Sequence, residues 1–233
     1  MDAALQGILV IDKPLGMTSM RAVERVRRAL GGAKAGHAGT LDPLATGVLI
    51  VAIGRATKQI PLLMGLEKRY ETEVDLSATT ATLDTEGERV AAALDGPPPS
   101  RDQVLAALES FRGTFAQAPP AFSAIKIQGR RAYDLARKGD AVEPQPRDVT
   151  VHALELLDYA WPVARLSIRC AKGFYVRSLA RDLALRLGTL GHCLSIRRTA
   201  IGPYDLSMAM PLKDDPQGLE RAIRPFSPPA DSR

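Results

Sequence analysis

A chain of 233 residues with 45% hydrophobic content can bury a full core and lies at the upper end of what one domain spans. The apolar run from Gly7 to Ile11 stops at Asp12 and Lys13, and no stretch approaches the roughly 18 apolar residues of a membrane span, so a soluble, cytoplasmic protein is expected. The net charge is +5, and the window from Arg165 to Arg198 holds eight cations against Asp182 alone, a concentration that suits a polyanionic partner.

In chain order, a strand and a turn come first. Thr18 and Ser19 are placed to cap a helix whose apolar residues Met20, Val23, Val26 and Leu30 recur at near-helical spacing, with Gly31 to end it. The continuous apolar run from Gly47 to Ile53 predicts a strand buried on both faces. Tyr70, Thr72, Val74 and Leu76 alternate with Glu71, Glu73 and Asp75, as in a strand with one wet face. Beyond the loop around Asp95, Ser100 and Gln103 form a capping box for a helix using Val104, Leu105, Leu108 and Phe111.

An extended segment, FSAIKIQG, and a short basic helix ending at Gly139 are expected next, then an irregular connection marked by Pro144 and Pro146. From Ala164 to Cys170 apolar residues alternate with Arg165, Ser167 and Arg169, which predicts a strand with cations on one face. Val176, Leu179, Leu183 and Leu187 form a helical stripe closed by Gly188, and a last strand is expected over Ser195 to Ile201. Strands and helices mix without a regular βαβ repeat, so the fold class is α+β rather than doubly wound. The tail from Arg224 is expected to be disordered.

The stretch AGHAGTLDPLATGVL, Ala35 to Leu49, holds His37, Thr40, Asp42 and Thr46 among small residues between a helix and a buried strand. Its glycines and Pro43 predict a tight, closely approached backbone. A carboxylate there would be partly desolvated and would need a cationic partner to stay ionised. By itself Asp42-Pro43 reads more readily as the start of a turn. Cys170 and Cys193 form no close pair, and His37, His152 and His192 show no metal-ligand spacing, which argues against a disulfide scaffold or a zinc site.

The run GHAGTLDPLATGVL closely resembles the signature of the TruB family, the tRNA pseudouridine-55 synthases. Similar in order and spacing are VIDKPLGMTS (Val10 to Ser19), KRY (Lys68 to Tyr70), PPAFSAIKIQGRRAYDLAR (Pro119 to Arg137) and KGFYVRSLARDLA (Lys172 to Ala184), with a fainter echo in LSIRRTAIGPY (Leu194 to Tyr204). The resemblance covers nearly the whole chain through about Met210. Three features depart from the pattern. Ala81 stands where an acidic residue is usual, and Phe174 replaces a residue that is often threonine. The 23 residues after Met210 are too few for the small C-terminal RNA-binding domain of many bacterial members, so reduced accessory tRNA contacts are expected.

The resemblance implies a pseudouridine-synthase fold, with a mixed, mainly antiparallel sheet flanked by helices and an RNA-binding cleft. Residues 1–210 would form the catalytic domain, 118–147 a basic RNA-clamping insertion, and 211–233 a short C-terminal segment. It implies an enzyme that isomerises uridine-55 in the T loop of tRNA after flipping it out. Asp42 matches the family's essential aspartate, Tyr70 the tyrosine that stacks on the flipped base, and Arg177 the arginine that pairs with the aspartate. His37 matches the residue that fills the space left by the extruded base. Lys13 and Pro14 match a motif supporting the cleft, Tyr175 falls on the substrate side, and Ile196 stands where a leucine commonly packs against the base. Lys126, Arg130 and Arg131 suit a clamp on the T arm.

The chemistry agrees with these roles. Breaking C1′–N1 and forming C1′–C5 requires charge control at the sugar, which glycosidases also meet with carboxylates. Flipping loses a few kcal/mol of stacking, which an aromatic ring and a loop-filling side chain offset. No cofactor or metal is expected, nor any membrane contact; the partner is tRNA through its T arm, and the protein is expected to be a monomer. A non-catalytic RNA-binding or tRNA-folding module on the same scaffold would need the basic window but not Asp42.

Overall fold

The structure is a computed structural model that describes residues 5–94, 96–122, 144–212 and 215–226, with the backbone alone at 126–127 and 130–131. The chain divides into two compact units, Met1–Arg69 with Arg197–Arg233, and Tyr70–Ile196. In chain order the elements are β1 (Gly7–Lys13), α1 (Ser19–Ala29), β2 (Ala35–His37), β3 (Ala45–Ile53), a 3-10 turn (Gly54–Gln59), α2 (Ile60–Gly65), β4 (Lys68–Asp75), β5 (Ala78–Thr79), β6 (Val90–Ala91) and α3 (Arg101–Glu109). They continue with β7 (Gly113–Gln117), β8 (Lys126–Ile127), β9 (Arg130–Arg131), β10 (Arg147–Ala160), β11 (Val163–Cys170), α4 (Val176–Arg186), β12 (His192–Ile201), β13 (Tyr204–Asp205), β14 (Met210–Pro211) and α5 (Pro216–Ala222).

In the first unit the strand order is β14-β1-β3-β12, with β2 also on β3 and β13 on β12. β1 runs antiparallel to β3 from Gly7 opposite Ile53 to Lys13 opposite Gly47, and parallel to β14. Both long strands are buried on both faces, as the unbroken apolar run over Gly47 to Ile53 predicts. One face carries Ile8, Val10, Val48, Ile50 and Ala52 into a core shared with Leu63 and Ile201. Each large aliphatic side chain there contributes about 1.5–3 kcal/mol through burial. Gly47 is required by this packing. Its φ is +99°, and a Cβ would lie 2.2 Å from the carbonyl oxygen of Arg198 on β12.

α1 begins where the sequence places it: Thr18 is the N-cap and its hydroxyl accepts from the Arg21 amide. Val23 and Val26 are buried as the spacing predicts, but Met20 is 52% exposed and Ala22 takes the buried position instead. The ordered chain also runs further than its composition suggests. Arg224 exchanges both backbone hydrogen bonds with Ile8 at 2.9 Å, and Phe226 packs against the core of this unit. Two backbone bonds and a partly buried ring offset the chain entropy that Pro and Ser alone would leave unopposed. The remainder of the tail, 227–233, lies outside the described residues.

In the second unit the order is β12-β4-β11-β10-β7. β10 and β11 form an antiparallel hairpin, and β7 pairs antiparallel with β10. Alternation holds in β11, where Ala164, Leu166, Ile168 and Cys170 are buried and Arg165 and Arg169 exposed. The capping box of α3 forms as expected, with Gln103 N donating to Ser100 Oγ and Ser100 N to Gln103 Oε1. β4 departs from its expected pattern at Asp75, which is buried rather than wet. Its carboxylate accepts from the amide and hydroxyl of Ser77 and meets Arg89, so the alternation is overridden by polar partners. Among the described residues no helix is long and apolar enough to cross a membrane.

Candidate active site

The first unit holds Asp42, His37, Lys13 and Pro14. Asp42 sits between β2 and β3, and every carbonyl from residue 39 to 43 has a donor. Arg198 Nη2 donates to Gly39 O at 3.2 Å and its Nη1 to Thr40 O at 3.4 Å. The Ser19 hydroxyl accepts from Leu41 N at 2.8 Å and donates to Leu41 O at 3.0 Å. Ala45 N donates to Asp42 O at 3.0 Å, and Gly16 N to Pro43 O at 2.8 Å. The glycine-rich sequence thus yields a defined loop because α1, β12 and the turn after β1 each satisfy part of its backbone.

Lys13 is fully buried at the end of β1, and its Nζ donates to Met17 O at 2.6 Å and Pro14 O at 3.0 Å. Pro14 supplies one of those carbonyls and is itself exposed. Burial lowers the Lys13 pKa to about 8, while the Asp42 carboxylate pulls it back up and the Arg198 guanidinium pushes it down. The Lys13 ammonium therefore feels the charge of Asp42. His37, at the end of β2, has its pKa lowered by burial and by Arg198, so its imidazole is neutral at pH 7. Its Nδ1 is buried with no hydrogen-bond partner among the described residues.

The second unit holds Tyr70, Tyr175, Arg177 and Ile196. Tyr70 lies half-buried on β4, and Ile196 is buried on β12. Arg177 is in the first turn of α4 and only 5% exposed, so it is no solvated surface cation. Its Nη1 donates to Thr82 O at 2.7 Å and lies 3.5 Å from Asp84 Oδ2, and its Nη2 donates to Phe122 O at 2.9 Å. Asp84 is held in turn by Thr80, Thr82 and the amide of Glu86, and Ala81 points to solvent between the two threonines. The unusual alanine leaves this polar cluster intact. Tyr175, the N-cap of α4, is fixed through its backbone by the Gln117 carboxamide, at 2.9 and 3.2 Å.

Lys126 and Arg131, and Ile127 and Arg130, are opposed in the short antiparallel hairpin β8–β9. The basic helix expected after it lies outside the described residues. Among the described residues no group of three or more His, Cys, Asp or Glu side chains could hold a metal ion, and Cys170 and Cys193 are free and buried.

A family profile described as TruB family pseudouridylate synthase (N terminal domain) matches residues 27–176. The chain belongs to the TruB family. Similar members carry the name tRNA pseudouridine synthase B. That of Pseudomonas syringae pv. syringae is 44% identical over 98% of this chain and 75% of its own length. That of Nitrobacter winogradskyi is 46% identical over 90% of this chain and 58% of its own, and that of Caulobacter vibrioides 47% identical over 90% and 67%. The chain therefore spans 58–75% of the length of these relatives.

Among solved structures, a Cbf5-Nop10-Gar1 complex matches at 27% identity and TM-score 0.73, over 94% of this chain and 60% of that one. An H/ACA RNP bound to a substrate RNA containing 2′-deoxyuridine matches at 26% and 0.65, over 88% and 51%. The α+β architecture with a mixed, mostly antiparallel sheet flanked by helices is thus the pseudouridine-synthase fold.

In this TruB-family chain six candidate residues escaped the sequence reading. Asp84 lies three residues after Ala81, the one position of that stretch that drew notice, and Ser19 was read as part of a helix cap. Arg198 was counted within a cationic window, although it is 1% exposed. The exposed arginines of α1, Arg21, Arg27 and Arg28, lie outside that window. Their spacing could have been read as a basic helix face from the sequence.

Proposed function

We propose that this chain is a tRNA pseudouridine synthase that isomerises uridine-55 of the T loop, with Asp42 as the catalytic carboxylate. The observation that carries the reading is that every carbonyl of residues 39–43 around that carboxylate has a donor, with the Leu41 amide held as well. Glycosidic rearrangement needs a charged group held at near-attack distance, about 3–3.5 Å, and a loop fixed at each residue can hold one.

In the reaction Asp42 acts at the sugar–base junction. The C1′–N1 bond breaks, the base turns, C1′–C5 forms, C5 gives up its proton and N1 gains one, so atoms balance as an isomerisation. Tyr70 stacks on the flipped base with Ile196 and Tyr175 on the substrate side, and Arg177 acts on the carboxylate. Neutral His37, with an unused ring nitrogen, occupies the space the base vacates. Lys13 and Pro14 support the cleft, and Lys126, Arg130 and Arg131 clamp the T arm. We read the protein as a monomeric cytoplasmic enzyme that needs neither metal nor cofactor. The name shared by its relatives supports tRNA as substrate, although those proteins are longer.

The deciding experiment is tritium release from C5-labelled uridine in T-arm RNA. Wild-type protein is expected to release tritium, and Asp42→Asn to release none while binding RNA within a few-fold of wild type. Turnover by a clean Asp42→Asn preparation would remove Asp42 from the mechanism, and an inactive wild type would remove the function.

A further inference from the structure

Arg198 is the bulkiest fully buried side chain among the described residues. It has no carboxylate partner among them, and each of its three guanidinium nitrogens donates to a carbonyl, Nε to Val48 O at 2.8 Å and then Nη2 to Gly39 O and Nη1 to Thr40 O. A buried guanidinium is expensive, and an apolar residue of similar volume would serve packing at least as well. What the arginine does that an apolar residue could not is grip two consecutive carbonyls just ahead of Asp42. Ser19, 2% exposed, closes a two-way hydrogen bond on Leu41, the residue next to Asp42. The two side chains come from β12 and α1, and between them they hold three consecutive residues.

We propose that Arg198 and Ser19 are positioning residues for Asp42, which set the carboxylate's place by fixing the backbone of Gly39, Thr40 and Leu41 rather than by touching the RNA. This rests on the reading of Asp42 as the catalytic carboxylate. The two devices are independent: one is charged and one neutral, and they bond different residues of the loop. Loss of either therefore loosens the carboxylate without removing any RNA contact. Displacement of a reacting group by about 1 Å can lower a rate ~100-fold.

The test compares wild type with Ser19→Ala, Arg198→Met and Arg198→Lys. It measures kcat and KM by tritium release, RNA affinity at one salt concentration, the thermal midpoint, and the His37 titration by NMR. Ser19→Ala and Arg198→Met are expected to lose at least ~10-fold in kcat with KM and RNA affinity within about 2-fold, at a temperature where both are fully folded. Arg198→Lys should recover part of the loss, because an ammonium can still reach one carbonyl. The His37 pKa should rise in Arg198→Met and stay put in Ser19→Ala, which reports that the charge was removed locally. Folded variants with wild-type kcat, or a loss confined to KM, would overturn the positioning role. If Arg198→Met does not fold, Ser19→Ala decides alone. A wild type that releases no tritium overturns the underlying function instead, so the two failures are distinct.

Discussion

Arg177 and Asp84 form an ion pair with Nη1 3.5 Å from Oδ2, and both side chains are at most 5% exposed. Buried charges of this kind are costly to expose singly. Arg177→Met is therefore expected to lower stability by about 3–5 kcal/mol, because it strands the buried Asp84 carboxylate, and to impair turnover through the role proposed for this cation. The double variant Arg177→Met/Asp84→Asn should regain much of that stability and stay inactive. Denaturant midpoints and tritium release on the same samples check this. Equal stability of the two variants would show that the pair is not coupled.

Lys13 should impose opposite pH trends on activity and stability. Its pKa is 10.5 in the unfolded chain and about 8 in the fold. Between those values the unfolded chain holds a proton that the folded chain has lost, so its contribution to stability rises with pH across that window. Turnover should fall as pH rises through about 8, as the ammonium that feels the Asp42 charge is neutralised. Lys13→Met should show a lower kcat with no inflection near pH 8. Persistence of that inflection in the variant would assign it to another group.

His37 gives the reverse approach, from the acid side. Its folded pKa lies below the ordinary 6.5, so as pH falls through 6.5 the unfolded chain takes up a proton first and stability is lost. His37→Gln should remove part of the stability difference between pH 7 and pH 5. Denaturant unfolding at both values measures it, and an unchanged difference would show that His37 is not the group responsible.

The exposed face of α1 should carry RNA phosphate. Arg21 and Arg28 are seven residues apart, about 10 Å along the helix, and Ser19 ties the start of this helix to the Asp42 loop. Arg21→Glu/Arg28→Glu is expected to weaken T-arm binding and to flatten the slope of log affinity against log salt by about 1 per lost contact. At saturating RNA kcat should not change. An unaltered slope would make this face a solvated one.

Much of the scaffold was legible in the sequence because its signals are local. The Thr18 cap and the Ser100 capping box bond residues three apart, the run over Gly47 to Ile53 is apolar whichever neighbours it meets, and β11 alternates residue by residue. The resemblance around Asp42 likewise needed only order and spacing. The tertiary structure decided what depends on partners distant in the chain. It buried Asp75 against its alternation, exposed Met20, and ordered Arg224 on Ile8. It also separated three arginines that composition counts alike: Arg198 is sealed onto Gly39 and Thr40, Arg177 is paired with Asp84, and Arg197 is half-exposed on Asp12. Periodicity reports which way a side chain faces within its own element, whereas the fate of a charge depends on which carbonyls and carboxylates the fold brings within reach.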